Sequence, residues 1–142
     1  MTSQDFHYRF KSSKNITDIF NRLVEPRNWW IGLFGEIIEG NSKALDDEFT
    51  FSAGDGLHFS KQRLIELVMD KKIVWRVTES NLSFLKNTNE WAGTEISFEL
   101  VPNNNRTKIT FTHKGLVPHF ECYGGCSSAW NQYLQKLAMQ LQ

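Results

Sequence analysis

The chain has 142 residues, and its 16 basic and 16 acidic side chains give a formal net charge of zero at pH 7. This length suits one domain, so we expect a single domain over residues 1–142. The balanced charge argues against a nucleic-acid partner and against a membrane-surface protein. No apolar stretch approaches the roughly 20 residues that span a bilayer, and the polar start lacks the apolar region of a signal peptide. With only two cysteines, we predict a cytoplasmic protein without a disulfide framework.

The chain begins as a strand that leads into short helices. Apolar and polar side chains alternate over residues 5–11, which is typical of a half-buried strand. We expect Ser13 to cap a short helix that the Glu25-Pro26 pair ends. Two short helices are therefore predicted after the first strand. The apolar residues at helical spacing are Ile16, Ile19, Phe20 and Leu23.

A run of antiparallel strands follows, separated by short turn sequences rich in Gly, Asn, Asp and Pro. The segment 81–89 is the one long connection, and its Leu82, Phe84 and Leu85 predict that it folds back over the protein. The predicted strands cover residues 35–38, 47–52, 57–69, 72–79, 90–101 and 106–115.

The C-terminal part predicts one long helix from about residue 118, because Pro118 suits a first helical turn. A single amphipathic helix after so many strands must lay its apolar face on the sheet, and a cavity between the two is expected. The residues along that face are Cys122, Cys126, Trp130, Leu134, Leu137 and Leu141.

Three segments carry a resemblance to a known family: WRVTES at 75–80, EWAGTEISF at 90–98, and ECY at 121–123 followed by Cys126 and AWNQYL at 129–134. The chain resembles the START-like superfamily, and within it the family related to the C-terminal domain of the activator of heat shock protein 90 ATPase. The resemblance implies an α+β helix-grip fold like that of the birch pollen allergen, in which a curved antiparallel sheet wraps around the C-terminal helix.

Strand alternation predicts which side chains face the cavity, because neighbouring side chains of a strand point to opposite faces. Ile109, Phe111 and His113 share one face of the last strand, so His113 should point inward. The same phase argument assigns His7, His58 and Arg63 to solvent. The predicted ligand-binding residues are Trp30, Phe49, Phe51, Trp75, Thr94, Phe98, Phe111, His113, Cys122 and Cys126.

Three groups of residues leave alternatives open. His119, Cys122 and Cys126 have the spacing of zinc ligands on one helical face, but buried cysteines are commonly small hydrophobes, and we expect no metal. His113 could form an acid–base pair with Glu121 or Glu95, or simply orient a ligand by a hydrogen bond. The pair Trp29-Trp30 could form a pocket wall or fill the core.

We therefore expect a protein that binds a small, largely apolar molecule in an internal cavity, without evident catalysis and without a cofactor. One alternative is an enzyme of the cyclase or hydrolase kind that uses His113. Another is a protein-interaction module resembling a chaperone activator, with a surface patch formed by Leu82, Phe84 and Leu85. The sequence is compatible with a monomer or a homodimer.

Overall fold

The computed structural model describes residues 5–142. It contains seven strands and two α-helices, with one short 3-10 helix, Pro26–Asn28, after the first α-helix. In chain order the elements are β1 (Phe6–Ser12), α1 (Ile16–Val24), β2 (Ile37–Gly40), β3 (Glu48–Ala53), β4 (His58–Val68), β5 (Lys72–Leu82), β6 (Glu95–Asn103), β7 (Arg106–Lys114) and α2 (Tyr123–Gln140).

The strands form one antiparallel sheet in the order β1-β7-β6-β5-β4-β3-β2. Sequential strands are neighbours throughout, except that β1 pairs with β7 and places Phe6 opposite His113. The pairing of β4 with β5 shifts register between Lys61 and Gln62 and again between Leu64 and Glu66. These features confirm the predicted α+β helix-grip fold.

One face of the sheet is buried and the other faces solvent. On β7, Thr107, Ile109, Phe111 and His113 are buried, while the residues between them are more exposed. The helices cover this buried face, and Trp130 of α2 contacts Phe111 with ring centroids 4.7 Å apart. The inward face that alternation assigned to the last strand is thus confirmed.

Both helices begin later than the sequence suggests. Asn15, not Ser13, caps α1, because its side-chain oxygen accepts from the amides of Thr17 and Asp18. Helix α2 begins at Tyr123 rather than near residue 118, and residues 117–122 form successive turns. The carboxylate of Glu90 fixes these turns by accepting from the amides of Glu121 and Cys122 at 2.8 and 3.0 Å.

The connection between β5 and β6 differs from the prediction at both ends. Strand β5 continues to Leu82, and β6 starts only at Glu95 because the chain turns at Gly93, whose φ is +87°. The intervening segment does fold back: the Leu82 amide donates to the Thr88 carbonyl. The Lys86 amide also donates to the carboxylate of Glu121, close to the start of α2.

Candidate functional site

A pocket of about 280 Å³ opens beside the first turns of α2. Its walls come from α2, from the turn between β3 and β4, from the segment that follows the 3-10 helix, and from Phe84 and Trp91 before β6. The residues that line it are Trp30, Phe34, Phe51, Ala53, Gly54, Leu57, His58, Phe84, Trp91, Cys122, Gly125, Cys126, Ala129, Trp130 and Tyr133.

The predicted binding residues divide between this pocket and the core behind it. Those that line the pocket are Trp30, Phe51, Cys122 and Cys126. The others are buried but are absent from the pocket wall: Phe49, Trp75, Thr94, Phe98, Phe111 and His113. Alternation identifies the buried face of a strand. It does not show which part of the space between the sheet and α2 is filled by aromatic side chains and which part remains an open pocket.

Trp29 and Trp30 take different roles, although the sequence left open whether the pair forms a pocket wall or fills the core. Their rings stack on each other with centroids 5.7 Å apart. Trp29 lies in the core, where its indole nitrogen donates to the Leu23 carbonyl and its ring meets Phe98 edge-on. Trp30 stacks on Phe51 at 3.9 Å and forms part of the pocket wall. One tryptophan therefore fills the core and the other lines the pocket.

His113 is fully buried and hydrogen-bonded on both ring nitrogens. The indole nitrogen of Trp130 donates to its Nδ1 at 3.0 Å, so Nε2 carries the proton and donates to the Thr94 hydroxyl at 2.8 Å. Thr94 in turn donates to the Trp91 carbonyl. Burial, with a smaller contribution from nearby His58, lowers the pKa of His113 to about 3, and the residue is neutral at pH 7.

The predicted acid–base pair does not form among the described residues. Glu95 bonds to Arg76 at 2.8 Å, and Arg76 lies on the exposed face of β5. The carboxylate of Glu121 accepts from the Lys86 and Asn87 amides. Of the two alternatives left open for His113, the structure therefore does not show the pairing with a carboxylate.

His58 was wrongly assigned to solvent, because it lies on the pocket wall. It shares its strand phase with Ser60, Gln62 and Leu64, which are all buried. Two polar residues at inward positions hid this phase from an argument based on apolar alternation. The residue as a whole is half-buried, and burial lowers the pKa of His58 to about 4. His7 and Arg63, by contrast, are exposed as predicted.

Trp91 is a pocket residue that the sequence argument missed. Its ring stands edge-to-face against His58 and His113, with both centroid distances at 4.6 Å, and it lies nearly parallel to Trp130 at 5.9 Å. Trp91 lies in the turn before β6, where strand alternation carries no information about direction. The sequence analysis had instead included Trp91 in the predicted strand 90–101, whose observed start is Glu95.

Cys122 and Cys126 form a disulfide across the start of α2, with Cα atoms 5.5 Å apart. The prediction of two free cysteines was wrong, and the argument for a reducing compartment loses that support. Within residues 5–142, no group of three or more His, Cys, Asp or Glu side chains could hold a metal ion. Bonded sulfurs are not thiolates, which is the form of cysteine that binds zinc.

Glu36 ties the segment before β2 to α2 at the edge of the pocket. Its carboxylate accepts from the amides of Gly32 and Phe34 at 2.8 and 2.9 Å and from the Tyr133 hydroxyl. Burial alone would raise the pKa of Glu36, but these hydrogen bonds lower it below its ordinary value. Burial and the neighbouring carboxylate raise the pKa of Tyr133, so its hydroxyl stays protonated and donates.

Residues 15–142 match the sequence profile of the family described as Activator of Hsp90 ATPase homolog 1-like protein. The chain belongs to this family. The chain shares its fold with solved structures at low sequence identity. No protein of curated function matches the sequence.

Three solved structures illustrate that similarity. The Aha1 dimer from Colwellia psychrerythraea is 20% identical with a TM-score of 0.72, and the match covers 96% of this chain and 95% of the other. A Mesorhizobium loti protein is 17% identical with a TM-score of 0.73, and the coverage is 95% and 94%. A Nitrosospira multiformis protein is 11% identical with a TM-score of 0.74, and the coverage is 97% and 96%. Within residues 5–142, neither α-helix is long and apolar enough to cross a membrane.

Proposed function

We propose that the protein binds a small, largely apolar molecule in the pocket beside α2. The observation that carries this proposal is an open pocket of about 280 Å³ whose wall consists mainly of aromatic and aliphatic side chains. Ligand pockets are usually concave and apolar with a few polar groups, and His58 and Tyr133 supply such groups here. Folds of this family commonly bind small hydrophobic ligands.

Binding without catalysis fits the pocket better than a cyclase or hydrolase that uses His113. That histidine is neutral, holds partners on both ring nitrogens and lies behind the wall formed by Trp91 and Trp130. A general base must come within hydrogen-bond reach of the proton that it removes. His113 could do so only after these rings moved apart.

The proposal is tested by titration with N-phenyl-1-naphthylamine, a neutral fluorescent probe. We expect saturable binding at one site, and quenching of tryptophan emission because Trp30, Trp91 and Trp130 line the pocket. Native mass spectrometry of the purified protein is the second readout, since a ligand retained from the host would appear as an added mass. Probe fluorescence that rises linearly without saturation would contradict a defined site.

A pair of neighbouring glycines offers a matched test of location. A Cβ atom added at Gly124 or at Gly125 meets no heavy atom within 4 Å, but only Gly125 lines the pocket. Gly125→Phe should fill the pocket and weaken probe binding about tenfold, equivalent to about 1.4 kcal/mol. Gly124→Phe should leave the affinity within about twofold. Equal effects of both substitutions would place the probe elsewhere.

The remaining sequence-based expectations stay predictions. The candidate interaction patch is not continuous, because Leu82 is buried and Leu85 partly so, whereas Phe84 is exposed. Support for a chaperone partner is thus limited to the family name, and pull-down with a purified chaperone would test it. Analytical ultracentrifugation would show whether the protein is a monomer or a homodimer. Cell fractionation would test the predicted cytoplasmic location.

A further inference from the structure

Two pocket residues carry a buried ring nitrogen without a hydrogen-bond partner. Among residues 5–142, the unpartnered buried side-chain atoms include Nε1 of Trp91 and Nε2 of His58. Both side chains line the pocket. Buried polar groups in native proteins are almost always paired, and an exception calls for a missing water, ion or ligand.

The two nitrogens belong to the same part of the pocket. The rings of His58 and Trp91 meet edge-to-face with centroids 4.6 Å apart. The other histidine beside Trp91, His113, already has both of its nitrogens satisfied by Trp130 and Thr94. Of the two histidines beside Trp91, only His58 therefore has an unpartnered buried ring nitrogen, and both Trp91 and His58 line the pocket.

The chemistry of these nitrogens defines the group that would satisfy them. An indole N–H can only donate, whereas a neutral imidazole nitrogen donates or accepts according to its tautomer. A single oxygen atom of a carbonyl or hydroxyl group can accept from Trp91 and exchange a second hydrogen bond with His58. A charged group fits poorly, because no described residue lining the pocket is Lys or Arg, and an unpaired buried charge is costly.

We propose that the ligand is a largely apolar molecule with one neutral oxygen, which Trp91 Nε1 and His58 Nε2 hold. This inference rests on the proposed function, since it assumes that the pocket binds an apolar molecule. It adds the chemical class of that molecule and names the two residues that recognise its polar atom.

Three probes with one ring system test the inference: naphthalene, 2-naphthol and 2-naphthoate, titrated by calorimetry or tryptophan quenching. We expect 2-naphthol to bind about tenfold more tightly than naphthalene, as two modest neutral hydrogen bonds would give. The carboxylate of 2-naphthoate should make it the weakest of the three. The ratio of the 2-naphthol and naphthalene affinities is the measured quantity, because general damage to the pocket affects both probes and cancels.

Three variants assign the preference to its residues. His58→Leu and Trp91→Phe should each lower the ratio at least threefold. Phe84→Leu alters another lining residue that lacks a ring nitrogen, and the ratio should stay unchanged. Circular dichroism confirms that each variant is folded, and the ratio in the unaltered protein serves as the test if Trp91→Phe does not fold.

The outcomes separate the two proposals. If naphthalene binds and Gly125→Phe weakens that binding, but 2-naphthol shows no advantage, the proposed function stands and this inference is overturned. A 2-naphthol preference that survives both His58→Leu and Trp91→Phe also overturns it. If none of the three probes binds, the apolar-ligand function itself fails.

Discussion

At the scale of single residues, His113 and His58 show how packing fixes a protonation state. His113 accepts from Trp130 and donates to Thr94, which leaves no site for a second proton without breaking a bond. His58 has no such partners, and burial alone lowers its pKa. One histidine therefore holds the core together, while the other is available to the pocket.

We predict that the protein loses stability as the pH falls from about 6.5 to 5. The pKa of His113 is lowered from 6.5 to about 3, and that of His58 from 6.5 to about 4. In this window the unfolded chain binds protons that the folded protein does not. The free energy of unfolding therefore decreases as the pH decreases. The loss approaches about 1.4 kcal/mol per pH unit for each histidine. Urea unfolding at several pH values measures it.

The variant His58→Leu isolates one half of this effect. Between about pH 5 and 6.5 its unfolding free energy should fall with roughly half the slope of the unaltered protein. The window avoids Glu36 and Asp47, whose pKa values are lowered from 4.5 and 3.8. An unchanged slope would show that His58 is protonated in the folded state.

We predict that Trp130→Ala strongly destabilises the fold. Trp130 is 1% exposed, and its removal also takes away the donor to His113. Deleting a large buried aromatic side chain costs about 3–5 kcal/mol. The denaturation midpoint should fall accordingly, whereas Gln135→Ala on the exposed side of the same helix should change stability by about 0.5 kcal/mol at most. Equal midpoints for the two variants would contradict the burial of Trp130.

At the scale of elements, the order of strands and helices could be predicted from the sequence, because alternation and turn residues are local signals. The inward phase of β7 and β5 follows from apolar residues at every second position. The phase of β4 does not, because Ser60 and Gln62 occupy inward positions that a periodicity argument reads as exposed. The start of α2 depends on Glu90, about thirty residues earlier in the chain, and local rules cannot detect such a contact.

The pocket was less predictable than the fold for a related reason. Its location depends on where the rings of Trp29, Trp30, Trp91 and Trp130 fill the space between sheet and helix. Tertiary packing sets these positions, and strand periodicity does not report them. Four of the predicted binding residues therefore line the pocket, and the other six are buried in the core behind it.

We predict that the disulfide stabilises the start of α2 without being required for the fold. Cys122 and Cys126 are four residues apart, and closing so short a loop contributes only about 2 kcal/mol. Reduction should lower the melting temperature by several degrees and leave the circular dichroism spectrum native. A Cys122→Ser/Cys126→Ser variant should have the melting temperature of the chemically reduced protein, whether or not reductant is present. Alkylation of both cysteines in the unreduced protein would contradict the bond.

We predict that Glu36→Ala loosens the segment before β2. Its carboxylate is the shared acceptor for the amides of Gly32, Leu33 and Phe34. Without that acceptor these amides should exchange with deuterium faster, as should the first residues of β2. Glu39→Ala, at an exposed position of β2, is the control and should leave the exchange rates of residues 32–34 unchanged. Unchanged exchange in Glu36→Ala would show that another contact holds the segment.

At the scale of the whole molecule, the two ends of the described chain meet. β1 pairs with β7 along its full length, and the Ser12 hydroxyl donates to the carbonyl of Leu141 just after α2. The first strand and the last helix therefore stabilise each other, and the buried face of the sheet is complete only when both are in place.

This pairing of distant segments has a consequence for synthesis on the ribosome. β1 emerges first, yet its partner β7 lies far along the chain: His7 bonds to Thr112 across 105 residues. Until then the nascent chain exposes β1, the Trp29-Trp30 pair and an unpaired edge of β6. Long-range antiparallel pairing of this kind folds in milliseconds to seconds rather than microseconds. Until β7 has been synthesised, the growing chain thus exposes aromatic surface, and such exposed apolar surface makes neighbouring nascent chains prone to aggregate.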